Sequence, residues 1–510
     1  MNYSTCIVAA LVPLLVSNSR MAPAEDETLG QTLADILQEA CQAINQLSLE
    51  YLRRPIDPER TFEFEHQIGV CLREASRGIV QAVYNRAEPA VESLPKHVHF
   101  EASQYTRFNR KTPQNVWTLF GQVRLQRVGY RPTDKTADPT IFPLALALGL
   151  VHGASPALAE RAAALMGDTG MTQQRALQHL RQNHGVGWGV KKLRQVTEFL
   201  SAEMAEQREE VQVGRLLELL QQADASKGRH KPVLSVGRDG ITLGMRCQGG
   251  SVHEVATCGT VTVLNRRGRR LGTVYLAYVP EFGQGTMSKQ LTQLVQEVLK
   301  RWQEPLPRLS YVTDSGDNET TYYDKVLSRM KHPRTGEKLE WIRVADYYHA
   351  SERLWTMAET LFGKGSRATS WVRKMQKWLL KPSGAYRVLH SAAALRQQQK
   401  LRGKKLADFN RAYRYIRDRM EYMRYAEYRK LGIPLGSGVT EAGCKTVYTQ
   451  RLKLSGMRWQ EAGAQRILNL RVLRISGVWD EAYRRVLRAI KQPQVRGQAI
   501  KAKPEAKKAA

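Results

Sequence analysis

Cysteine is scarce in this sequence and poorly spaced for chemistry. The six cysteines, Cys6, Cys41, Cys71, Cys247, Cys258 and Cys444, include no C-x-x-C pair. That argues against a structural zinc site and a disulfide framework, and fits a reducing cytosol. The 11 histidines show no H-E-x-x-H or H-x₃-H spacing. Long apolar runs are missing too. The stretch from Cys6 to Val16 is too short to span a bilayer, and no Lys or Arg precedes it as a signal peptide requires. Met21 comes at once after it and opens a normal acidic helical stretch. Translation is therefore expected to start at Met21, with 1–24 an extension rather than native structure and no membrane as partner. Acidic residues are the last shortage: 78 Lys and Arg stand against 48 Asp and Glu, a net charge of +30. Such an excess costs self-repulsion unless a polyanion is bound, which implies nucleic acid or an anionic surface. Residues 1–95 hold 7 basic and 13 acidic side chains and sum to −6, so the remainder carries +36. That asymmetry favours nucleic acid.

The composition is otherwise that of a folded chain able to bury a core, 42% hydrophobic and 25% charged, and 510 residues suggest three or four domains. Residues 25–95 read as an acidic helical domain with a break at Arg54-Pro55, suited to packing, folding back or dimerisation. Residues 96–150 read as a small segment with two short strands around Gly121, within Val116 to Arg127. In 151–205, a helix from Gln173 to Gln182, the Gly-rich turn Gly185 to Gly189 and a helix from Val190 to Leu200 resemble a helix-turn-helix. Lys191, Lys192 and Arg194 open its second helix, where a recognition helix presents side chains to the major groove.

Residues 231–346 alternate strands and helices. Strands are predicted at Val233 to Val236, Glu254 to Leu264 and Gly272 to Val279, then at Leu309 to Thr313 and Trp341 to Ala345. Helices are predicted at Met287 to Trp302 and Thr321 to Met330. Three antiparallel strands and then βα crossovers is the order of a ribonuclease-H-like core, an α/β fold with a mixed five-stranded sheet. In such a sheet the first and fourth strands are neighbours. Asp239 closes the first and Asp314 ends the fourth, so both can point into one site. Glu441 opens a later helix and can join from the side. Three carboxylates suit two Mg²⁺ (or Mn²⁺) ions clamping the attacking and leaving oxygens of a phosphoryl transfer.

Between the strands and Glu441 lies a helical insertion, 347–430. Between Glu359 and Asp408 it holds twelve basic residues, Lys374, Lys377 and Lys381 among them, and no acidic one. A run so one-sided suggests phosphate contact. Trp371, Trp378 and Tyr386 are interleaved with it, as core or as base-stacking rings. After Glu441, Lys445 is expected one turn along on the same helix face, either as an i, i+4 ion partner or facing a bound strand. Arg451, Lys453 and Arg458 extend a basic track. Residues 431–480 complete the catalytic core, and 481–510 form a basic tail, expected to be disordered from Lys491.

Four blocks carry a family resemblance: Gly237-Arg238-Asp239-Gly240, Val312-Thr313-Asp314-Ser315-Gly316, Asp346-Tyr347-Tyr348-His349-Ala350 and Gly436-Ser437-Gly438-Val439-Thr440-Glu441-Ala442-Gly443-Cys444-Lys445. They resemble the DDE transposases of bacterial insertion sequences. Gln450-Arg451-Leu452-Lys453-Leu454-Ser455-Gly456-Met457-Arg458-Trp459 resembles the stretch after the Glu in the ISKra-type group. The likeness covers about residues 115–480, and its last block is specific. It implies a ribonuclease-H-like fold with a helical insertion, and Asp239, Asp314 and Glu441 as metal ligands. The D-x-x-H block also resembles a motif of the wider Mutator-like transposases, which implies that Asp346 and His349 assist near the site. A structural role for His349 stays open beside it. Relatives often carry cysteine pairs near the N-terminal strands; this chain has none there, which shifts end recognition toward the helix-turn-helix.

The expected activity is metal-dependent cleavage at transposon ends and strand transfer into target DNA. The expected partner is double-stranded DNA, as inverted-repeat ends and target. A homodimer or higher oligomer is expected on DNA, within a bacterial cytoplasm and at its nucleoid. The rivals are a ribonuclease-H-like nuclease without strand transfer and a non-catalytic DNA-binding protein derived from a transposase.

Overall fold

The computed structural model describes residues 23–101, 103–134, 138–247 and 250–491. The proposed extension falls outside these residues except at its last two positions, and so does the tail beyond Lys491. The chain divides into two compact units. The first holds residues up to 166, 172–200 and those from 485; the second holds 167–171 and 201–484.

The first unit opens with two long helices, Pro23–Leu52 and Pro58–Arg86. They break where expected, and Asp57 caps the second by accepting from the Arg60 N–H. Three antiparallel strands come next in the order β1-β2-β3: His97–Phe100, Ser103–Thr118 and Gly121–Pro132. The expected short hairpin is thus a long one with an added edge strand. Its exposed polar residues (Arg110, Asn115, Arg124) hide the alternation of buried Tyr105, Val116, Val123 and Leu125. The helix Gln173–His184 ends at Gly185, whose φ of 63° supplies the left-handed cap.

The helix after it differs from the expectation. It does not stop near Leu200 but runs from Val190 to Asp224. Nothing breaks it, because buried Leu193, Val196, Leu200, Met204, Val211, Leu216, Leu219 and Ala223 continue at helical spacing. A 35-residue helix is far longer than a recognition helix.

The second unit is built on a mixed five-stranded sheet of order β6-β5-β4-β7-β8: β4 Val233–Cys247, β5 Gly250–Leu264, β6 Arg270–Tyr278, β7 Arg308–Thr313 and β8 Trp341–Ala345. The first three strands are antiparallel, and β7 and β8 join in parallel. The helix Gly285–Arg301 lays Met287, Leu291, Leu294, Val295, Val298 and Leu299 on the core, beside Leu216, Leu219, Leu220 and Ala223 of the long helix. Cutting any of the leucines among them to Ala costs roughly 2–5 kcal/mol.

The basic insertion is helical as expected, with helices Tyr347–Phe362, Ser366–Leu379, Gly384–Gln399, Gly403–Arg419 and Tyr425–Leu431 around a core they share with Val312, Val344 and Ala345 of the sheet. The expected tail is corrected at its start. Trp479–Ala489 is a helix that buries Trp479, Ala482, Tyr483 and Val486 at i, i+3, i+4, i+7 spacing, a pattern its many arginines obscure.

Candidate active site

Asp239 does not close its strand; it sits in the middle of β4. The parallel partner β7 pairs only with Val233 to Val236, whereas the antiparallel partner β5 runs beside β4 to Cys247. Asp239 therefore lies just past the point where β7 ends and its chain delivers Asp314. The loop after Asp314 is held tightly. Ser315 is buried at φ 63°, a conformation costly for a non-glycine residue. Two side chains of the insertion brace it: the Tyr415 hydroxyl donates to the Asp314 carbonyl at 2.8 Å, and Arg419 to the Ser315 carbonyl at 2.9 Å. The insertion thus positions the second aspartate as well as carrying charge.

Glu441 arrives on the short helix Gly438–Cys444, packed on the sheet beside Asp239. The approach is very close. A Cβ on Gly237 would lie 2.0 Å from the Thr440 hydroxyl, and Thr440 bonds Thr260 of β5 at 2.7 Å. A π-helical turn, Lys445–Thr449, comes next and delivers Tyr448, whose buried hydroxyl donates to the Thr257 carbonyl at 2.6 Å. The Cys444 thiol donates to Asp239 and is pushed far up, first by its contact with Cys258 and then by burial.

The charges of Asp314 and Glu441 act on Asp239. Burial raises the pKa of Asp239, bonds from Cys444 and the Gly240 N–H lower it, and the charges of Asp314 and Glu441 raise it again. A fourth carboxylate, which no sequence motif marks, joins them. Glu319 is 7% exposed and its pKa is pushed up to about 7, chiefly by burial, with Asp314 and Asp239 adding to the rise and Arg238 opposing it. Among the described residues, no Lys or Arg forms an ion pair with Asp239, Asp314, Glu319 or Glu441. Hard carboxylate oxygens with no Lys or Arg ion partner are donors that Mg²⁺ or Mn²⁺ prefers. In donor type, though not in spacing, the residues suit a divalent cation. Among the described residues no three His, Cys, Asp or Glu side chains stand close enough together to hold one ion.

Asp346 and His349 belong to the site's framework. Asp346 is fully buried and caps its helix by accepting from the backbone of Tyr348 and His349. Its other oxygen meets Ser437, through the backbone N–H and, at 2.6 Å, the hydroxyl. That hydroxyl also stands 2.8 Å from Glu441 Oε1 and can donate to one carboxylate at a time. Sequence reasoning misses Ser437 as a site residue; its place between two glycines is the available signal. His349 bridges Glu352, 3.1 Å from Nδ1, and Glu441, 3.4 Å from Nε2. Burial lowers its pKa, but Asp346, Glu352 and Glu441 together outweigh burial and raise it.

The expected DNA-facing cations fare unevenly. Lys374, Lys377, Lys381, Lys445, Lys453 and Arg458 are all exposed. Arg451 is buried: it is 1% exposed, lies over the Trp459 ring and has its pKa lowered to about 10 by burial. Apolar Val447, Tyr448 and Leu452 around it signal an inward face, so it drops out of the basic track. Glu441 pairs with His349 rather than Lys445, although the Lys445 N–H bonds the Glu441 carbonyl at the expected four-residue spacing. In the first unit Lys191 is exposed, and Arg194 donates to Gln173 at 3.0 Å. Burial of part of its stem lowers the pKa of Lys192. Trp371 is core, Trp378 lies under Lys374 at 5.0 Å, and Tyr386 is exposed.

No model of a protein family matches the chain. It is similar to a protein of Streptococcus gallolyticus named "UPF0236 protein in vanSb 3'region". The two are 25% identical over 388 residues, which is 74% of this chain and 76% of that protein. That name states a genomic position and no activity. No helix among the described residues is long and apolar enough to cross a membrane.

Proposed function

We propose that this protein is a DDE transposase with a ribonuclease-H-like catalytic core. It cleaves DNA at transposon ends and joins the freed 3′-hydroxyl to target DNA. The observation that carries the reading is that Asp314 and Glu441 both lie near enough for their charges to act on Asp239, on a sheet of order β6-β5-β4-β7-β8, with no Lys or Arg paired to any of the three among the described residues. The resemblance of the four motif blocks to insertion-sequence transposases agrees with it.

Two Mg²⁺ or Mn²⁺ ions held by Asp239, Asp314 and Glu441 would supply charge neutralisation and an activated oxygen nucleophile. The chain's own residues do the rest. Ser437, buttressed by buried Asp346, orients Glu441 from one side, and His349 stands against it from the other. Lys445, Lys453 and Arg458 neutralise backbone phosphates near the site, and the insertion does so along its length.

The test uses DNA that flanks the gene, incubated with the full chain and Mg²⁺ or Mn²⁺. Cleavage at discrete ends and joined products in a target plasmid are expected. Asp239→Asn, Asp314→Asn and Glu441→Gln should each lower both steps by at least about 100-fold, since each removes a metal-binding charge, while DNA affinity stays within about threefold. Cleavage without joining would assign a nuclease instead. Near-normal cleavage by any one variant would strike that residue from the site.

A further inference from the structure

The two helices that open the first unit form a hairpin in which no described side chain is buried. Leu29, Leu33, Ile36, Ala40, Ile44 and Leu47 recur at the spacing of a coiled-coil seam, yet all remain half-exposed. Two helices alone leave the flanks of such a seam open to water; four close it. The turn end of the hairpin is more exposed still, with Leu52 at 68%, Ile56 at 65% and Phe62 at 64%, and Leu72, midway along the second helix, is exposed at 52%.

This end is not a loose loop. The Arg60 guanidinium donates to the carbonyls of Pro55, Glu50 and Tyr51, the last at 2.8 Å. Tyr51 bonds Thr61 at 2.8 Å and stacks on Phe64 at 4.5 Å between centroids. A turn so fully hydrogen-bonded holds its apolar side chains out in fixed positions. Exposed apolar surface of this extent marks an interaction site.

Charge selects the occupant. From 23 to 86 the hairpin carries eleven acidic and six basic side chains, so it repels the nucleic acid and anionic surfaces that suit the rest of the chain. All its bases fall after Leu52: the first helix has six acids and no Lys or Arg. Two first helices repel. That repulsion falls when the first helix of one copy lies beside the second helix of the other, whose four acids and four arginines balance. Size agrees as well. A 30-residue helix is about 45 Å long, so a face two helices wide presents roughly 900 Å², against about 800 Å² per partner in a stable interface.

We propose that the hairpin is a dimerisation arm, which pairs with the same hairpin of a second copy of this chain to close a four-helix bundle without DNA. The proposal is independent of the catalytic reading. The full chain at about 1–50 μM, in DNA-free buffer, is expected to sediment and scatter at twice its 57.8 kDa mass. A triple variant, Leu52→Glu, Phe62→Glu and Leu72→Glu, changes only side chains more than half exposed and should keep its circular dichroism. It should dissociate at least about tenfold more readily and run at the single-chain mass. A monomeric wild type, or a triple variant that keeps the double mass, overturns the proposal. So does a monomer that floats with phosphatidylcholine vesicles, which would assign the patch to a lipid surface. Loss of dimer with intact cleavage, or the converse, separates this proposal from the catalytic one.

Discussion

Glu319 stands in the first turn of its helix, where an acid is favoured by the helix dipole and attracts no notice in the sequence. Its fold neighbours give it another character, because burial, with Asp314 beside it, pushes its pKa from an ordinary 4.5 to about 7 against the pull of Arg238. In the unfolded chain the carboxyl ionises near pH 4.5, whereas in the metal-free fold it keeps its proton to about pH 7. The folded state therefore holds the extra proton between these values, and its advantage is lost as pH rises through the folded value. One pKa unit is about 1.4 kcal/mol, so ionised Glu319 costs the fold roughly 3 kcal/mol at the upper limit. Glu319→Gln should be more stable than the wild type by about 1–3 kcal/mol at about pH 8, with the two converging at acid pH. Urea denaturation of metal-free protein at both pH values measures this. A difference that does not change with pH would mean Glu319 is already ionised in the fold.

At the scale of elements, what could be read in the sequence depended on how local its cause was. Trp341–Ala345 is the strand the sequence predicts, since five residues with buried neighbours and a cap just after them are a local signal. The extent of β4 is not local. It reaches Cys247 because β5 pairs with it through Gly240 and Gly244, and the glycines that read as a strand end are there for close packing. So the neighbouring strands that carry Asp239 and lead to Asp314 were legible, while the place of Asp239 within its strand was not. Ser437, Glu319 and buried Arg451 depend on contacts far along the chain and left little local trace. The insertion was legible in both composition and helicity. Eleven of its twelve cations are exposed, all but Arg396, which donates to Asn410 at 3.1 Å. A one-sided exposed charge is what counterion release rewards. Neutralising Lys374, Lys377 and Lys381 together should weaken binding to all duplexes alike. The slope of log affinity against log salt should become shallower by about 0.9 per lost phosphate contact. An unchanged slope with weaker binding to transposon ends alone would make them base readers; no change in either would leave them a solvated face.

The whole molecule carries its charge in two opposed parts, −6 over residues 1–95 and +36 over the rest. In the free protein the positive part repels itself, and salt screens that repulsion over about 10 Å at 0.1 M. Raising NaCl from about 50 to about 500 mM should therefore raise the melting temperature of the DNA-free chain. Bound duplex acts in the opposite sense. DNA that binds only the folded state stabilises it by RT ln(1 + [L]/Kd), and Kd climbs steeply with salt as counterions cease to gain from release. With non-cleavable duplex in excess, the melting temperature should be highest at low salt and fall as NaCl rises, until the two curves meet. Scanning calorimetry on Asp239→Asn, which keeps the cations and removes the proposed chemistry, makes the comparison without DNA turnover. Curves of the same slope would mean that DNA does not neutralise the basic part, and the charge excess would then need a different partner.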